Sequence, residues 1–173
     1  MCFKNPRNIQ PPDMPFSSAV LVGIWKTRSV RVLVLTQRNR RLREHPGEIS
    51  FSGGKCLPGE NPVATALREA REEMGVEQAQ LLSLLPPEQT VNSGHLILPV
   101  VARLHQASFR CNAEVERLHF LPLPLLFRSH EKWETFLFRE KPIRVPVWDF
   151  KAFVVWGATG RMLVHFQKLF RQG

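Results

Sequence analysis

Residues 54–76 read GKCLPGENPVATALREAREEMGV, and the architecture can be built outward from them. Gly54, Glu60, Arg68, Glu69, Glu72, Glu73 and Gly75 stand at the spacing G-x5-E-x7-R-E-x-x-E-E-x-G, the signature of a metal site. Asn61 can cap a first helical turn, Pro62 suits its first position, and Gly75 can close it in a left-handed conformation, so the spacing predicts a helix over residues 62–74. Val63, Ala66, Leu67, Ala70 and Met74 recur at three- and four-residue steps and form the stripe expected to face a core. Glu69, Glu72 and Glu73 fall on the other side, because such steps at about 100° per residue return to one face.

Glu69 and Glu73 are like charges one turn apart, which without a cation costs a few tenths of a kcal/mol, roughly. Arg68 can bridge to Glu72, but one guanidinium cannot neutralise three carboxylates. A hard divalent cation, Mg²⁺ or Mn²⁺, suits the oxygen donors and keeps waters in its remaining positions. An isolated E-x-x-E-E run would read as a solvated helix face. The preceding Phe51-Ser-Gly-Gly54 run, Glu60 before the cap and the Arg68-Glu69 dyad, all at fixed offsets, favour the metal site.

On those residues the stretch Gly54 to Val76 resembles the Nudix box, the signature of hydrolases that cleave a diphosphate linked to another moiety. Ala70 stands where that family usually has a larger aliphatic residue, and every charged position is kept. The resemblance implies an α/β fold, an α/β/α sandwich with a mixed β-sheet. It also implies that Glu69, Glu72 and Glu73 are metal ligands, that Arg68 holds Glu72 in position, and that Glu60 supports the site from its edge.

A basic segment lies just upstream. Lys26, Arg28, Arg31, Arg38, Arg40, Arg41 and Arg43 are uninterrupted by any acid until Glu44, so a concentrated positive field would draw in a polyanion. Arg38 and Arg43 are the candidates for gripping phosphate with paired hydrogen bonds, while Arg40 and Arg41 read as solvent-facing. Gly53 and Gly54 let backbone N–H groups approach a phosphate closely, and His45 is a candidate ligand contact. Residues 34–54 also resemble the extra motif of the coenzyme A diphosphatase branch, which begins Leu-Leu-Thr-x-Arg and ends Phe-Pro-Gly-Gly. Thr36, Arg38, Arg43, Gly47, Phe51, Gly53 and Gly54 match it; Val34, Asn39 and Ser52 depart from it. Asn39 sits among residues expected to meet the ligand. The resemblance runs from about Ser18 to Leu163 and implies coenzyme A as the small-molecule substrate, with 3′,5′-ADP and 4′-phosphopantetheine as products. For the general base two residues stand open: Glu69, in range by helix geometry, and Glu114, suggested by the family's Glu-Val segment.

At 173 residues and 43% hydrophobic content the chain can bury a core of its own. The reading is an irregular lead over 1–15 and one domain over 16–173. No apolar run approaches bilayer length and the first residues lack a secretory core, so the expected location is the cytoplasm, with mitochondria the alternative. Three cysteines, unpaired in spacing, read as reduced thiols. A net charge of +9 would also suit a nucleic-acid binder. Against that, five of the fifteen acidic residues fall between Glu60 and Glu77, where an RNA backbone would be repelled.

Strands are expected at 19–25 and 30–36 as a hairpin, at 48–51, 80–85, 97–104 and 116–121, and late in the chain at 136–139, 143–147 and 152–155. Leu123 to Arg128 reads as a short helix. Gly157 to Arg171 reads as a core helix through Met162, Leu163, Phe166, Leu169 and Phe170. Thr90 to Gly94 reads as a turn.

Overall fold

The computed structural model describes residues 9–90, 94–106 and 108–171, so positions 91–93 of the expected Thr90–Gly94 turn and the first eight residues of the lead lie outside the described residues. Strands β1 (Ser18–Lys26) and β2 (Arg31–Arg38) form the expected hairpin. Its turn is closed by the Thr27 hydroxyl, which donates to the Val30 carbonyl at 2.8 Å and accepts from the Val30 N–H at 3.0 Å. After β2 come the short strands β3 (Ile49–Ser50) and β4 (Ser52–Lys55), then α1 (Pro62–Met74). The expected strand over 48–51 is thus two strands meeting at Phe51, whose ring is buried. Strands β5 (Ala79–Leu84), β6 (Glu88–Gln89), β7 (Leu96–Leu104) and β8 (Val115–Pro122) complete the main sheet, and α2 (Leu123–Arg128) follows.

The sheet is mixed: β1 pairs with β7 in parallel, and the other pairings are antiparallel. β1 divides one edge between two partners, with Gly23–Lys26 against β2 and Ser18–Leu21 against β4. That division carries the two glycines of β4 to the middle of the sheet.

Side chains alternate across the sheet, as the strand period of two requires. Ala19, Leu21, Val34, Leu98, Val100 and Ala102 meet Ala66, Ala70 and Met74 of α1 on one face. Val22, Ile24, Leu33, Leu35 and Val101 face the other way, toward α2 and toward Met162, Leu163 and Phe166 of α3 (Gly157–Arg171). Helices therefore cover both faces, the sandwich that the resemblance implied. Met74 and Phe166 are fully buried, each contributing on the order of 1.5–3 kcal/mol. Leu169, expected in the core stripe of α3, is instead 42% exposed, while its neighbour Phe170 packs against the core.

The late strands do not extend the main sheet. β9 (Lys132–Phe138), β10 (Lys141–Asp149) and β11 (Val154–Trp156) form a separate antiparallel sheet in the order β11-β10-β9. Arg139, expected at the end of a strand, lies in the β9–β10 turn with Glu140; both have positive φ, the geometry of a two-residue hairpin connection. The sheet is pinned to α3 by the buried Trp148, whose indole N–H donates to the Gly160 carbonyl at 3.0 Å.

Candidate active site

The α1 helix begins and ends where its caps dictate. Asn61 accepts the Val63 N–H at 2.8 Å, and Gly75, at φ 69°, turns its N–H back to the last carbonyls. This fixes Glu69, Glu72 and Glu73 over β4.

Arg68 is the hub. Its Nε donates to Glu60 Oε1 at 2.9 Å and its Nη2 to Glu60 Oε2 at 3.2 Å, a two-pronged grip. Its Nη1 donates to Glu69 Oε1 at 2.9 Å and reaches Glu72 only at 3.3–3.4 Å. Arg68 thus reaches Glu72 as expected and lies closer still to Glu60 and Glu69, because the loop before the helix folds back along the same face. Glu60 also accepts the Thr65 hydroxyl at 2.8 Å and the Leu57 N–H at 3.1 Å. The Arg68 hydrogen bonds, followed by those of Leu57 and Thr65, hold the Glu60 carboxyl down at about 2. Thr65, fully buried, was not singled out from the sequence; its only signal there was its place five residues after Glu60.

Glycines floor the site. A Cβ on Gly54 would fall 2.5 Å from Glu69 Cδ, so the Glu69 carboxylate lies directly on bare backbone. Gly53 donates its N–H to Glu73 Oε2 at 3.3 Å and itself lies tight against β1. The expected backbone donor thus serves a protein carboxylate. Glu73 is only 6% exposed and not, as the helix pattern suggested, a surface acid. Burial, together with the negative charge of Glu69, raises its pKa, opposed by Ser52, the Gly53 N–H and the positive charge of Arg38. Ser52 Oγ is buried and without a directed hydrogen bond, yet lies near enough to ease the Glu73 charge.

The upstream candidates separate. The β2–β8 register shifts between Gln37 and Arg38, and a shift of this kind re-aims a side chain. Arg38 lies where its charge is felt at Glu73. Its Nε donates to the Glu44 carbonyl at 3.3 Å. Arg43 is exposed and, among the described residues, is not paired with the carboxylates. His45, at φ 53°, pairs with Glu48 at 2.9 Å. Asn39 ties down the segment before β8: its N–H donates to the Glu114 carbonyl at 2.7 Å and its amide to the Ala113 carbonyl at 3.0 Å. Asn112 links the same segment to α1, donating its N–H to the Glu73 carbonyl at 3.1 Å. Glu114 is exposed, and among the described residues its carboxylate has no hydrogen-bond or ion-pair partner.

Among the described residues the three glutamates do not form a closed cage of metal-holding groups, since Glu69 and Glu72 turn toward Arg68 and Glu73 toward Gly53. Their chemistry nonetheless fits a hard divalent ion. Glu72 is 54% exposed with only long contacts, and Glu73 is a buried carboxylate whose negative charge is under-compensated.

An acid-bearing helix, floored by glycines, thus lies on the mixed sheet of an α/β/α sandwich. The NUDIX domain family model matches residues 16–142, and the chain belongs to that family, whose members act on diphosphates. It is 37% identical over 155 residues to the mitochondrial coenzyme A diphosphatase NUDT8 of Homo sapiens, covering 84% of this chain and 65% of that protein. It is 33% identical over 164 residues to the uncharacterised Nudix hydrolase NudL of Pectobacterium atrosepticum, covering 91% of this chain and 84% of the relative. The chain thus spans slightly less than two thirds of the human relative. A MutT/nudix family protein from Enterococcus faecalis shares the fold at a TM-score of 0.57 and 13% identity, over 95% of this chain and 66% of that one. No helix among the described residues is long and apolar enough to cross a membrane.

Proposed function

We propose that this chain hydrolyses the diphosphate linkage of coenzyme A or its acyl derivatives, with Mg²⁺ or Mn²⁺, releasing 3′,5′-ADP and 4′-phosphopantetheine or its acylated form. The observation that carries the reading is the seating of the acid helix on the glycines of β4, with Glu69 lying against Gly54 and Glu73 accepting the Gly53 N–H. The similarity to the human coenzyme A diphosphatase supports the substrate.

Glu69, Glu72 and Glu73 would hold the ion, which when bound neutralises diphosphate charge and acidifies a water. The rest is the work of the chain. Glu60 stays ionised far into acid and fixes Arg68, which in turn holds Glu69 against Gly54. Arg38 draws in and orients the phosphates, with Arg43 and His45 as outer contacts. The proton-accepting role falls better to Glu114 than to Glu69, since Glu114 has no competing partner among the described residues while Glu69 is held by Arg68. The same reading takes the partner to be a small molecule and not nucleic acid, and the location to be cytoplasmic, with mitochondria the alternative.

Purified protein with either ion should cleave coenzyme A faster than ADP-ribose, dinucleoside polyphosphates or oxidised nucleoside triphosphates when the products are separated by chromatography. Turnover of only the other substrates would reject coenzyme A. A salt-dependent mobility shift with RNA and no hydrolysis of any diphosphate would reject the enzyme reading.

A further inference from the structure

Strand β4 lies under α1, and the two elements keep step. In a strand every second side chain takes the same face, at intervals of about 6.6 Å. Four residues of helix, one turn, rise about 6 Å. A Cβ on Gly54 would strike the Glu69 carboxylate, so Ser52, two positions earlier, presents its side chain to the same face, toward Glu73 one turn further along α1. Two contacts agree with this placement. The Gly53 N–H donates to Glu73 Oε2 at 3.3 Å, and the Ser52 hydroxyl eases the negative charge of Glu73.

The two positions facing the acids carry different chemistry. Glycine at 54 lets a carboxylate lie on bare backbone, whereas position 52 offers a hydroxyl. Ser52 is 1% exposed and, among the described residues, its Oγ has no hydrogen-bond partner. A buried hydroxyl in that condition costs stability that an alanine would not. Position 52 is also one at which the chain departs from the coenzyme A diphosphatase motif, whose proline there has neither a hydroxyl nor an N–H to give. Glu73 has acceptor capacity to spare. A carboxylate accepts at about four sites, while the directed bond it receives from β4 is the long one from Gly53.

We propose that Ser52 is a positioning residue of the divalent-ion site: its hydroxyl donates to Glu73 when that carboxylate holds the ion, fixing the carboxylate and strengthening the grip. The proposal rests on the reading of Glu69, Glu72 and Glu73 as the ligands. To that reading it adds the outer hydrogen bond that a ligating carboxylate ordinarily has.

The test uses Mn²⁺ alone as the probe, with the free ion counted by electron paramagnetic resonance, on wild type, Ser52→Ala and Ser52→Cys. Alanine removes the hydroxyl; cysteine keeps an atom in its place but donates weakly. Each variant should hold Mn²⁺ about tenfold or more less tightly than wild type, the loss typical when an outer partner of a metal ligand is removed. Without metal the melting temperature of Ser52→Ala should stay level or rise, because the hydroxyl it loses has no partner there. On coenzyme A, kcat/KM should fall at low Mn²⁺ and recover as Mn²⁺ is raised. If circular dichroism shows that Ser52→Ala does not fold, Ser52→Cys decides. Unchanged Mn²⁺ affinity in the folded variant, whether or not its metal-free melting temperature drops, overturns the assignment and leaves the hydrolase intact. Weakened Mn²⁺ binding in the variants, with no cleavage of coenzyme A by wild type, supports the role of Ser52 and rejects the proposed substrate. Absence of Mn²⁺ binding by wild type overturns that role together with the ligand set.

Discussion

Gly53 and Gly54 are neighbours in one strand, yet alanine at each should fail in opposite ways. At Gly54 the new Cβ meets only the end of a side chain, 2.5 Å from Glu69 Cδ and 2.9 Å from Oε2. Ordinary contact begins near 3.4 Å, so the carboxylate must retreat by about 1 Å, leaving its 2.9 Å bond to Arg68 Nη1. A flexible side chain yields cheaply, and loss of glycine's unfolded-state freedom offsets part of the cost, so the net stability change should stay within about 1 kcal/mol. Activity should fall about a hundredfold, the penalty typical of a 1 Å misplacement in a reacting site. At Gly53 the Cβ meets the backbone, 2.6 Å from Val20 Cα and closer still to the Ala19 carbonyl. β1 would have to move, at a cost of about 1–3 kcal/mol or more. Thermal melts and kcat/KM on coenzyme A, measured for both variants, separate the two effects. A fully active Gly54→Ala enzyme, or one destabilised as much as Gly53→Ala, would refute the placement of Glu69 on the glycine floor.

Glu72→Gln and Glu73→Gln should each lower kcat by orders of magnitude, with melts showing both proteins folded; near wild-type turnover in folded Glu73→Gln would remove Glu73 from the ligand set. Glu60→Gln should lower the melting temperature at neutral pH by releasing Arg68. Because the folded pKa lies at about 2, below the 4.5 of an ordinary glutamate, the unfolded chain binds more protons between those values. Its stabilisation is therefore complete above about pH 5 and lost as pH falls toward 2, and melts of both proteins across that window should converge. Asn39→Ala removes the 3.0 Å bond to the Ala113 carbonyl and should reduce kcat/KM about tenfold by loosening the Glu114 segment, with a stability loss near 1 kcal/mol. Unchanged kcat/KM in that variant would argue against Glu114 as the base.

The parts legible from residue order are those governed by neighbours within a turn or a pleat. Asn61, Pro62 and Gly75 bound α1 at the residues observed, and the three-and-four spacing separated its acidic side from Ala66, Ala70 and Met74. The same rule located α3, and alternation located β1, β2 and β7. What escaped depends on residues brought together across long separations. Arg68 faces Glu60 because the loop between β4 and α1 doubles back, and Glu73 is buried because β4 lies beneath it. Likewise the period of two marked the late strands but could not assign them to a second sheet. A periodic pattern specifies which side of an element is apolar, whereas its partner is set by the packing of the whole chain.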